Sequence, residues 1–216
     1  MAPMQTIRIA TRGSQLALAQ TGQVAELIRQ ANPALRTELV AISTRGDRHA
    51  GPLAEVGGKG LFTRELEEAL RAGTVDLAVH SAKDLPAEME SDFAIAAVPV
   101  RQDARDALAS RSGPLAELPG GAAVGTGSLR RRAQLLAARP DLNVVPIRGN
   151  VETRLLKALG EQAELHAVVL AMAGLNRGGL ADKYGDRLFP LDADQVIPAA
   201  GQIGRASCRE RVFGYV

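Results

Sequence analysis

The segment IRIATRGS, residues 7–14, indicates the fold, because a short β-prone run passes within a few residues into the start of a helix. Ile7–Ala10 is mostly apolar, which favours a strand. Ser14 is a good helix N-cap, and apolar residues follow it at helical spacing until Asn32 and Pro33 end the run. A strand that leads directly into a helix is typical of an α/β fold.

The same succession of strands and helices continues along the chain. Further strands are predicted at Leu39–Ile42, Leu77–Val79, Ala94–Val98, Ala107–Ser110, Ala122–Val124, Val144–Ile147 and Val168–Leu170. Further helices are predicted for Phe62–Gly73, for Ser128–Ala138 with Leu129, Ala133 and Leu136 on its apolar face, and for Asn150–Gly160. Strands that alternate with helices need crossover connections, so we expect mostly parallel sheets.

A polar run, residues 101–106, separates two sets of strands and helices. We therefore expect one α/β lobe over residues 1–100 and a second over residues 101–195. A proline and a glycine favour a linker near residues 196–202, where the chain is expected to return to the first lobe. This path is a double crossover, which places a cleft between the lobes.

Composition and charge exclude several classes of protein. The 216 residues carry a net charge of +2 and 46% are hydrophobic, so the chain can form a core and is no general polyanion binder. The basic triplet Arg130–Arg132 lacks interleaved aromatic residues, so nucleic acid is not expected as a partner. No apolar run is long enough to span a membrane and no signal peptide is visible, so we expect a cytoplasmic protein.

Cysteine and histidine do not support a metal site. The single cysteine, Cys208, allows neither a disulfide nor a cysteine-type zinc site. His49, His80 and His166 are not spaced as metal ligands. We interpret His80, at a predicted strand end, as a structural hydrogen-bonding residue.

Basic and hydroxyl side chains follow most of the predicted strands. Ligands of open α/β sheets bind beyond the carboxyl ends of the strands, so these ends form the candidate site. Arginine can grip a carboxylate through two parallel hydrogen bonds, and helix N-termini add N–H donors. The expected ligand carries several carboxylates or phosphates; the alternative is that each arginine is solvated or paired with surface acids. The strand-end residues are Arg12, Ser14, Arg45, Asp47, His80, Ser81, Lys83, Asp84, Thr126, Gly127, Ser128, Arg130, Arg131, Arg148, Gly149 and Asn150.

Asp84 is an acidic residue in this cationic neighbourhood. A carboxylate here can stabilise a positive charge that develops on a substrate nitrogen, or exchange protons with a leaving amine. Neighbouring cations such as Lys83 are expected to keep it ionised. The alternative is that Asp84 only caps a helix or forms a local ion pair.

A glycine-rich stretch, residues 51–60, precedes the second predicted helix. It lacks the Walker spacing and has no Ser or Thr after Lys59, so it is not a phosphate loop. We expect a mobile lid with Lys59 as its charged tip; the alternative is an ordinary exposed loop.

Seven short segments occur in an order and spacing that are specific as a set. They are RIATRGSQLA (8–17), VGGKGLF (56–62), AVHSAKDLP (78–86), VGTGSLRR (124–131), IRGNVETR (147–154), LAMAGL (170–175) and PAAGQ (198–202). From about residue 6 to Gln202, this set resembles the porphobilinogen deaminase (hydroxymethylbilane synthase) family.

The resemblance implies a monomeric enzyme that condenses four porphobilinogen molecules into hydroxymethylbilane, with release of ammonia, in haem biosynthesis. It also implies a dipyrromethane cofactor, attached to a cysteine, that primes the growing polypyrrole chain. Asp84 matches the catalytic aspartate, Lys83 is assigned with it, and Phe62 matches an aromatic next to the growing chain. With the strand-end residues, the predicted substrate- and cofactor-binding set is Arg12, Ser14, Lys59, Phe62, Ser81, Thr126, Ser128, Arg130, Arg131, Arg148, Gly149, Asn150 and Arg154.

The chain departs from the family pattern in two places. Gly127 stands where the family usually has serine, so one side-chain hydrogen bond to a ligand is lost. From Ile203 onward the sequence has no family counterpart, and we expect residues 203–216 to be a non-native tail. Cys208 is then not the cofactor cysteine, the third α+β domain that carries it is missing, and this chain alone is expected to be inactive.

Two other functions fit the same architecture of two periplasmic-binding-protein-like lobes. One is a two-lobed small-anion binding protein, against which the Lys83–Asp84 and Arg130–Arg131 pairs argue. The other is the ligand-sensing domain of a transcription regulator, but no DNA-binding helices precede the lobes. Since folds do not determine function, the site residues must separate these alternatives.

Overall fold

The computed structural model describes residues 5–49 and 60–202. It confirms the predicted α/β fold, and it divides into two compact units with the division between Arg101 and Gln102. Within the described ranges, no helix is long and apolar enough to cross a membrane. No group of three or more His, Cys, Asp or Glu side chains in these ranges could hold a metal ion.

The first unit contains a three-stranded parallel sheet in the order β2-β1-β3. Ile9 and Ala10 of the central strand are fully buried. Each of these strands is followed, at its carboxyl end, by a helical segment, and several of the predicted site residues lie at these strand ends. The elements are β1 (Thr6–Arg12), α1 (Gln15–Ala31), β2 (Arg36–Ile42), α2 (Arg45–Arg48), α3 (Arg64–Arg71), β3 (Leu77–Ala78) and a 3₁₀ helix (Ala82–Asp84).

Helix α1 begins and ends where the sequence predicts. The Ser14 hydroxyl accepts a hydrogen bond from the Ala17 N–H at 3.3 Å, which caps the first turn. At the other end, the Asn32 N–H donates to the Ile28 carbonyl at 2.9 Å before the proline. Local capping chemistry therefore sets both bounds.

The predicted strand Ala94–Val98 is wrong. The described chain has only an isolated bridge residue there, at Ala96, and Val98 is 63% exposed. An apolar run becomes a strand only when a neighbouring strand pairs with several of its residues in succession, and such a partner cannot be read from the run itself.

The second unit contains a five-stranded mixed sheet in the order β6-β5-β7-β4-β8. Strand β5 pairs in parallel with β6 and β7, whereas β4 pairs antiparallel with β7 and β8. Across both units the sheets are mostly parallel, as predicted. The elements are β4 (Asp106–Ser110), a 3₁₀ helix (Leu115–Glu117), β5 (Ala123–Gly125), α4 (Leu129–Ala138), β6 (Asn143–Val145), α5 (Val151–Leu159), β7 (Ala167–Ala171), α6 (Met172–Arg177), α7 (Leu180–Tyr184), a 3₁₀ helix (Gly185–Arg187) and β8 (Leu188–Leu191).

The apolar face predicted for α4 is wrong at Leu129 and Ala133, whereas Leu136 packs against the core as predicted. Leu129 is 71% exposed and Ala133 is exposed, whereas the buried residues of the helix are Arg131 and Leu135. Hydrophobic periodicity assigns a charged residue to the solvent side, so it missed a face that includes a buried arginine.

The polar run 101–106 does not serve wholly as a separator. Asp106 is the first residue of β4, and its residue surface is fully buried. At the other end of the unit, Val196 is buried in the same core as Leu191, and the Gln202 amide donates to the Ala104 carbonyl at 2.9 Å. Residues 196–202 thus contact the second unit, and their predicted return to the first lobe stays a prediction.

Candidate functional site

Arg12, the last residue of β1, is the centre of a cluster in the first unit. Its Nε lies 3.1 and 3.3 Å from the two carboxylate oxygens of Asp47, and its Nη2 also contacts that carboxylate. Its Nη1 lies 3.9 Å from Oδ2 of Asp84. The guanidinium carbon stacks 4.1 Å from the centroid of the Phe62 ring. The structure therefore brings three predicted site residues together around one cation.

Asp47 is held in place by the start of helix α2. The Thr44 hydroxyl donates to Oδ2 of Asp47 at 2.8 Å, and the Thr44 N–H donates to the same oxygen at 3.2 Å. Burial acts to raise the pKa of Asp47, but the hydrogen bonds from Arg12 and Thr44 outweigh it and leave the pKa lowered. Arg12 is thus paired with a carboxylate that stays ionised. The alternative interpretation, in which the arginines pair with acids of the protein, therefore holds in part for Arg12.

Phe62 reaches Arg12 because residue 46 has no side chain. A β-carbon at Gly46 would overlap the Phe62 ring, and the Gly46 N–H donates to the Leu61 carbonyl at 3.0 Å. Sequence reasoning gave no role to Gly46. The ring is positioned by this close approach of two chain segments, which no local pattern shows.

Asp84 ends the 3₁₀ helix that follows the third strand. Its N–H donates to the Ser81 carbonyl at 2.8 Å, and the Ser81 hydroxyl lies 3.2 Å from Nε2 of the buried Gln20. Burial raises the pKa of the Asp84 carboxyl, and the charges of Lys83 and Arg12 only partly oppose this. The two cations therefore favour the ionised form, as predicted, but burial has the larger effect on the pKa.

His80 lies next to this segment and is buried. Burial, and then the charge of Arg12, lowers its pKa to about 4. The imidazole is therefore neutral near neutral pH.

In the second unit, two helix N-termini follow two adjacent parallel strands. After β5, the Thr126 hydroxyl accepts from the Ser128 N–H at 3.2 Å, and the Ser128 hydroxyl caps α4 by accepting from the Arg131 N–H at 3.4 Å. After β6, the Asn150 side chain caps α5 by accepting from the Thr153 N–H at 2.8 Å. Helix N-termini of this kind attract anions.

Arg130 and Arg131 share one buried carboxylate. The Nη2 atoms of both arginines lie 2.7 Å from Asp106, one on each carboxylate oxygen. Arg131 is 8% exposed, and its Nη1 donates to the Val169 carbonyl at 3.1 Å. Burial acts to raise the pKa of Asp106, but bonds from Arg131, Arg130 and Gln202 outweigh it and lower the pKa.

Three arginines of the second unit lie close enough to repel one another. Burial lowers the pKa of Arg154, and the charges of Arg131 and Arg148 lower it further. The Arg154 Nε donates to the Gly149 carbonyl at 2.7 Å. Gly149 adopts φ of 111°, and a β-carbon there would press on Thr153, so glycine is required at this turn. Such a cluster is stabilised by a bound anion.

Comparison with known proteins assigns the family. The protein-family model described as "Porphobilinogen deaminase, dipyromethane cofactor binding domain" matches residues 7–206 of the chain. The chain belongs to the porphobilinogen deaminase family. It is similar to the porphobilinogen deaminases of Syntrophus aciditrophicus (strain SB), at 52% identity over 91% of this chain and 63% of that one, and of Roseiflexus sp. (strain RS-1), at 51% identity over 92% and 64%. The chain therefore spans less than two thirds of the length of these relatives.

Among solved structures, the chain is similar to the periplasmic VFT2 domain of BvgS from Bordetella pertussis. The identity is 18%, the TM-score is 0.49, and the similarity covers 92% of this chain and 80% of that one.

Gly127, where the resemblance implies a serine, lies at a crowded position. A β-carbon there would lie 3.0 Å from the Ile147 carbonyl oxygen and 3.9 Å from Nη1 of Arg154. Glycine therefore leaves more room beside the Arg154 guanidinium than a serine would.

Sequence reasoning missed Asp106 and a further cation, Arg177, at the end of α6. Burial lowers the pKa of Arg177, and its buried Nε has no hydrogen-bond partner within residues 5–49 and 60–202. No local motif signals Arg177, although it follows the LAMAGL segment closely. Asp106 had a weak signal, since it is an acid directly before an apolar strand.

The described part of the chain does not bring all the predicted site residues into one site. Lys59 and most of the glycine-rich stretch lie outside the described residues, as does the tail from Ile203. The first unit brings Asp47, Phe62 and Asp84 together around Arg12. The second unit brings Arg130 and Arg131 together around Asp106. That the two groups face one ligand stays a prediction.

Proposed function

We propose that the complete protein condenses four porphobilinogen molecules into hydroxymethylbilane and releases ammonia at each step. It acts as a cytoplasmic monomer in tetrapyrrole biosynthesis, on porphobilinogen and polypyrrole intermediates. Family membership supports the reaction class, and the partly buried Asp84 beside Arg12 is the observation that supports the chemistry.

Asp84 has the environment that this reaction needs. Loss of ammonia from porphobilinogen leaves a positive charge that is shared with the pyrrole nitrogen, and an ionised carboxylate nearby stabilises it. Because burial raises the pKa of Asp84, its protonated form can also give a proton to the leaving amine. Arg12 lies 3.9 Å away and limits how far the pKa rises.

The arginines of the second unit bind the acetate and propionate groups in this proposal. Arg154, Arg131 and Arg148 repel one another, and the buried Nε of Arg131 has no hydrogen-bond partner in the described chain. Carboxylates bound beside these side chains would neutralise that repulsion.

The same donors fit a dipyrromethane cofactor, whose rings carry the same acidic side chains. When bound, it supplies the pyrrole end to which the first substrate is joined. Thr126, Ser128, Arg131 and Arg154 would hold its carboxylates, and Phe62 would pack beside the growing chain. We propose that the cysteine which anchors it lies outside the segments matched here.

The test is turnover by the complete protein. It should consume porphobilinogen and form hydroxymethylbilane, whereas the Asp84→Asn variant should lose nearly all activity. Asp76→Asn is the matched control, because Asp76 pairs with Arg8 at the surface of the same unit. Binding of porphobilinogen without any turnover would instead favour the small-anion binding protein.

A chain of these 216 residues, expressed alone, should bind porphobilinogen without turnover. Formation of hydroxymethylbilane by this chain would contradict the proposal that the anchoring cysteine is elsewhere.

A further inference from the structure

One fully buried carboxylate has no part in the chemistry proposed above. Asp106 begins β4, and its side chain is 0% exposed. Its Oδ2 accepts from Arg130 and its Oδ1 accepts from Arg131, each at 2.7 Å. Gln202 also donates to Oδ1, at 2.9 Å. Both oxygens therefore accept hydrogen bonds inside the protein.

The two arginines are each held at a second nitrogen as well. Nη1 of Arg130 donates to the Ile197 carbonyl, and Nη1 of Arg131 donates to the Val169 carbonyl at 3.1 Å. Both guanidinium planes are thus fixed by internal bonds. The Nε of Arg131 has no hydrogen-bond partner in the described ranges, and the Arg130 side chain is 27% exposed.

The charges leave this group attractive to anions. One buried carboxylate compensates two guanidinium groups, so the three side chains together carry a net positive charge. A planar cation that is already fixed loses less conformational freedom when a carboxylate binds to it.

We propose that Asp106 is a positioning residue, which orients Arg130 and Arg131 toward the carboxylates of a pyrrole ligand. This inference rests on the function proposed above. Asp106 itself does not touch the ligand and acts only through the two arginines.

The test compares Asp106→Asn with Asp141→Asn in the 216-residue chain. Asn keeps the shape of Asp106, but its NH₂ group cannot accept from the second arginine. Asp141 is the control, because it pairs with Arg139 at 2.7 Å in the same unit but its side chain is 44% exposed. Porphobilinogen and, separately, inorganic sulfate are titrated calorimetrically, and the guanidinium signals of Arg130 and Arg131 are followed by NMR.

We expect Asp106→Asn to weaken porphobilinogen binding about tenfold or more. The affinity for sulfate should stay the same or increase, because the variant gains net positive charge. The guanidinium N–H protons of Arg130 and Arg131 should exchange slowly with water in the unchanged chain and faster in Asp106→Asn. Asp141→Asn should change the affinities for porphobilinogen and for sulfate by about twofold at most. A purely structural role for Asp106 would lower both affinities together with the melting temperature.

Unchanged porphobilinogen affinity, or unchanged guanidinium signals, in Asp106→Asn would overturn the inference. If this variant does not fold, Gln202→Leu replaces it, and a loss of about threefold is expected because one donor to Oδ1 disappears; no loss overturns the inference. If the unchanged chain binds no porphobilinogen, the proposed function fails, and the guanidinium signals alone decide the positioning role.

Discussion

The two units pair arginine with aspartate in different ways. In the first unit, Arg12 meets Asp47 and Asp84, whose side chains are 24% and 31% exposed. In the second unit, Arg130 and Arg131 meet Asp106, which is 0% exposed. Water can replace a lost partner of Asp47 or Asp84, but it cannot reach the buried carboxylate of Asp106. The first cluster is therefore suited to exchange partners during a reaction, and the second to hold a fixed geometry.

The largest expected effect is on Asp106. Asp106→Ala leaves the buried Arg131 without its carboxylate, so the free energy of unfolding should fall by about 3–5 kcal/mol. Asp47→Ala should cost only about 1 kcal/mol, mainly through loss of the α2 cap. Urea unfolding of the 216-residue chain measures both, and equal losses would remove the distinction between the clusters.

Gly46→Ala tests how tightly the first cluster is packed. The added methyl group overlaps the Phe62 ring, so we expect a loss of about 1–3 kcal/mol from overpacking. Gly22→Ala in α1 is the control, since nothing lies within 4 Å of its added carbon. If Gly46→Ala costs as much stability in a Phe62→Ala background as in the unchanged chain, the ring is not the cause.

Asp84→Asn should stabilise the protein near neutral pH. Because the pKa of Asp84 is raised above 3.8 on folding, the folded chain binds more protons than the unfolded chain just above that pH. Stability is therefore lost as pH rises through this window, and the variant avoids the loss. We expect a gain of about 0.5–2 kcal/mol near pH 7.

The gain from Asp84→Asn should vanish in acid, where the carboxyl is protonated in both states. Thermal unfolding at several pH values measures this. Asp76→Asn is a control that should lower stability near neutral pH, because Arg8 lowers the pKa of Asp76 to about 2. A pH-independent gain at residue 84 would show that burial of its charge is not the cause.

The smallest expected effect is at Gly127. A serine there needs the Ile147 carbonyl to move by a few tenths of an ångström, so Gly127→Ser should change stability by about 0.5 kcal/mol. If the Arg154 guanidinium cannot shift, crowding by the new side chain should lower porphobilinogen affinity and outweigh the hydrogen bond that a serine hydroxyl would offer the ligand. Calorimetry compares both chains, and equal affinity would show that Arg154 tolerates the shift.

Local chemistry predicted most helices and strands. Ser14, Ser128 and Asn150 cap their helices as expected, because a side chain that accepts from an N–H three residues later needs no distant partner. The strand-end rule also located most of the candidate site. The rule could not assign a role to Asp106, because this residue lies in the polar run that was predicted to separate the two lobes.

The sequence by itself determined the α/β succession, the helix caps and the resemblance to one family, since each depends on residues close together in the chain. Only the tertiary structure decided that Arg131 is buried, that Asp106 pairs with it, and that Gly46 makes room for Phe62. Those outcomes depend on which distant segments meet and how much water they exclude, because the cost of burying a charge is set by its partners.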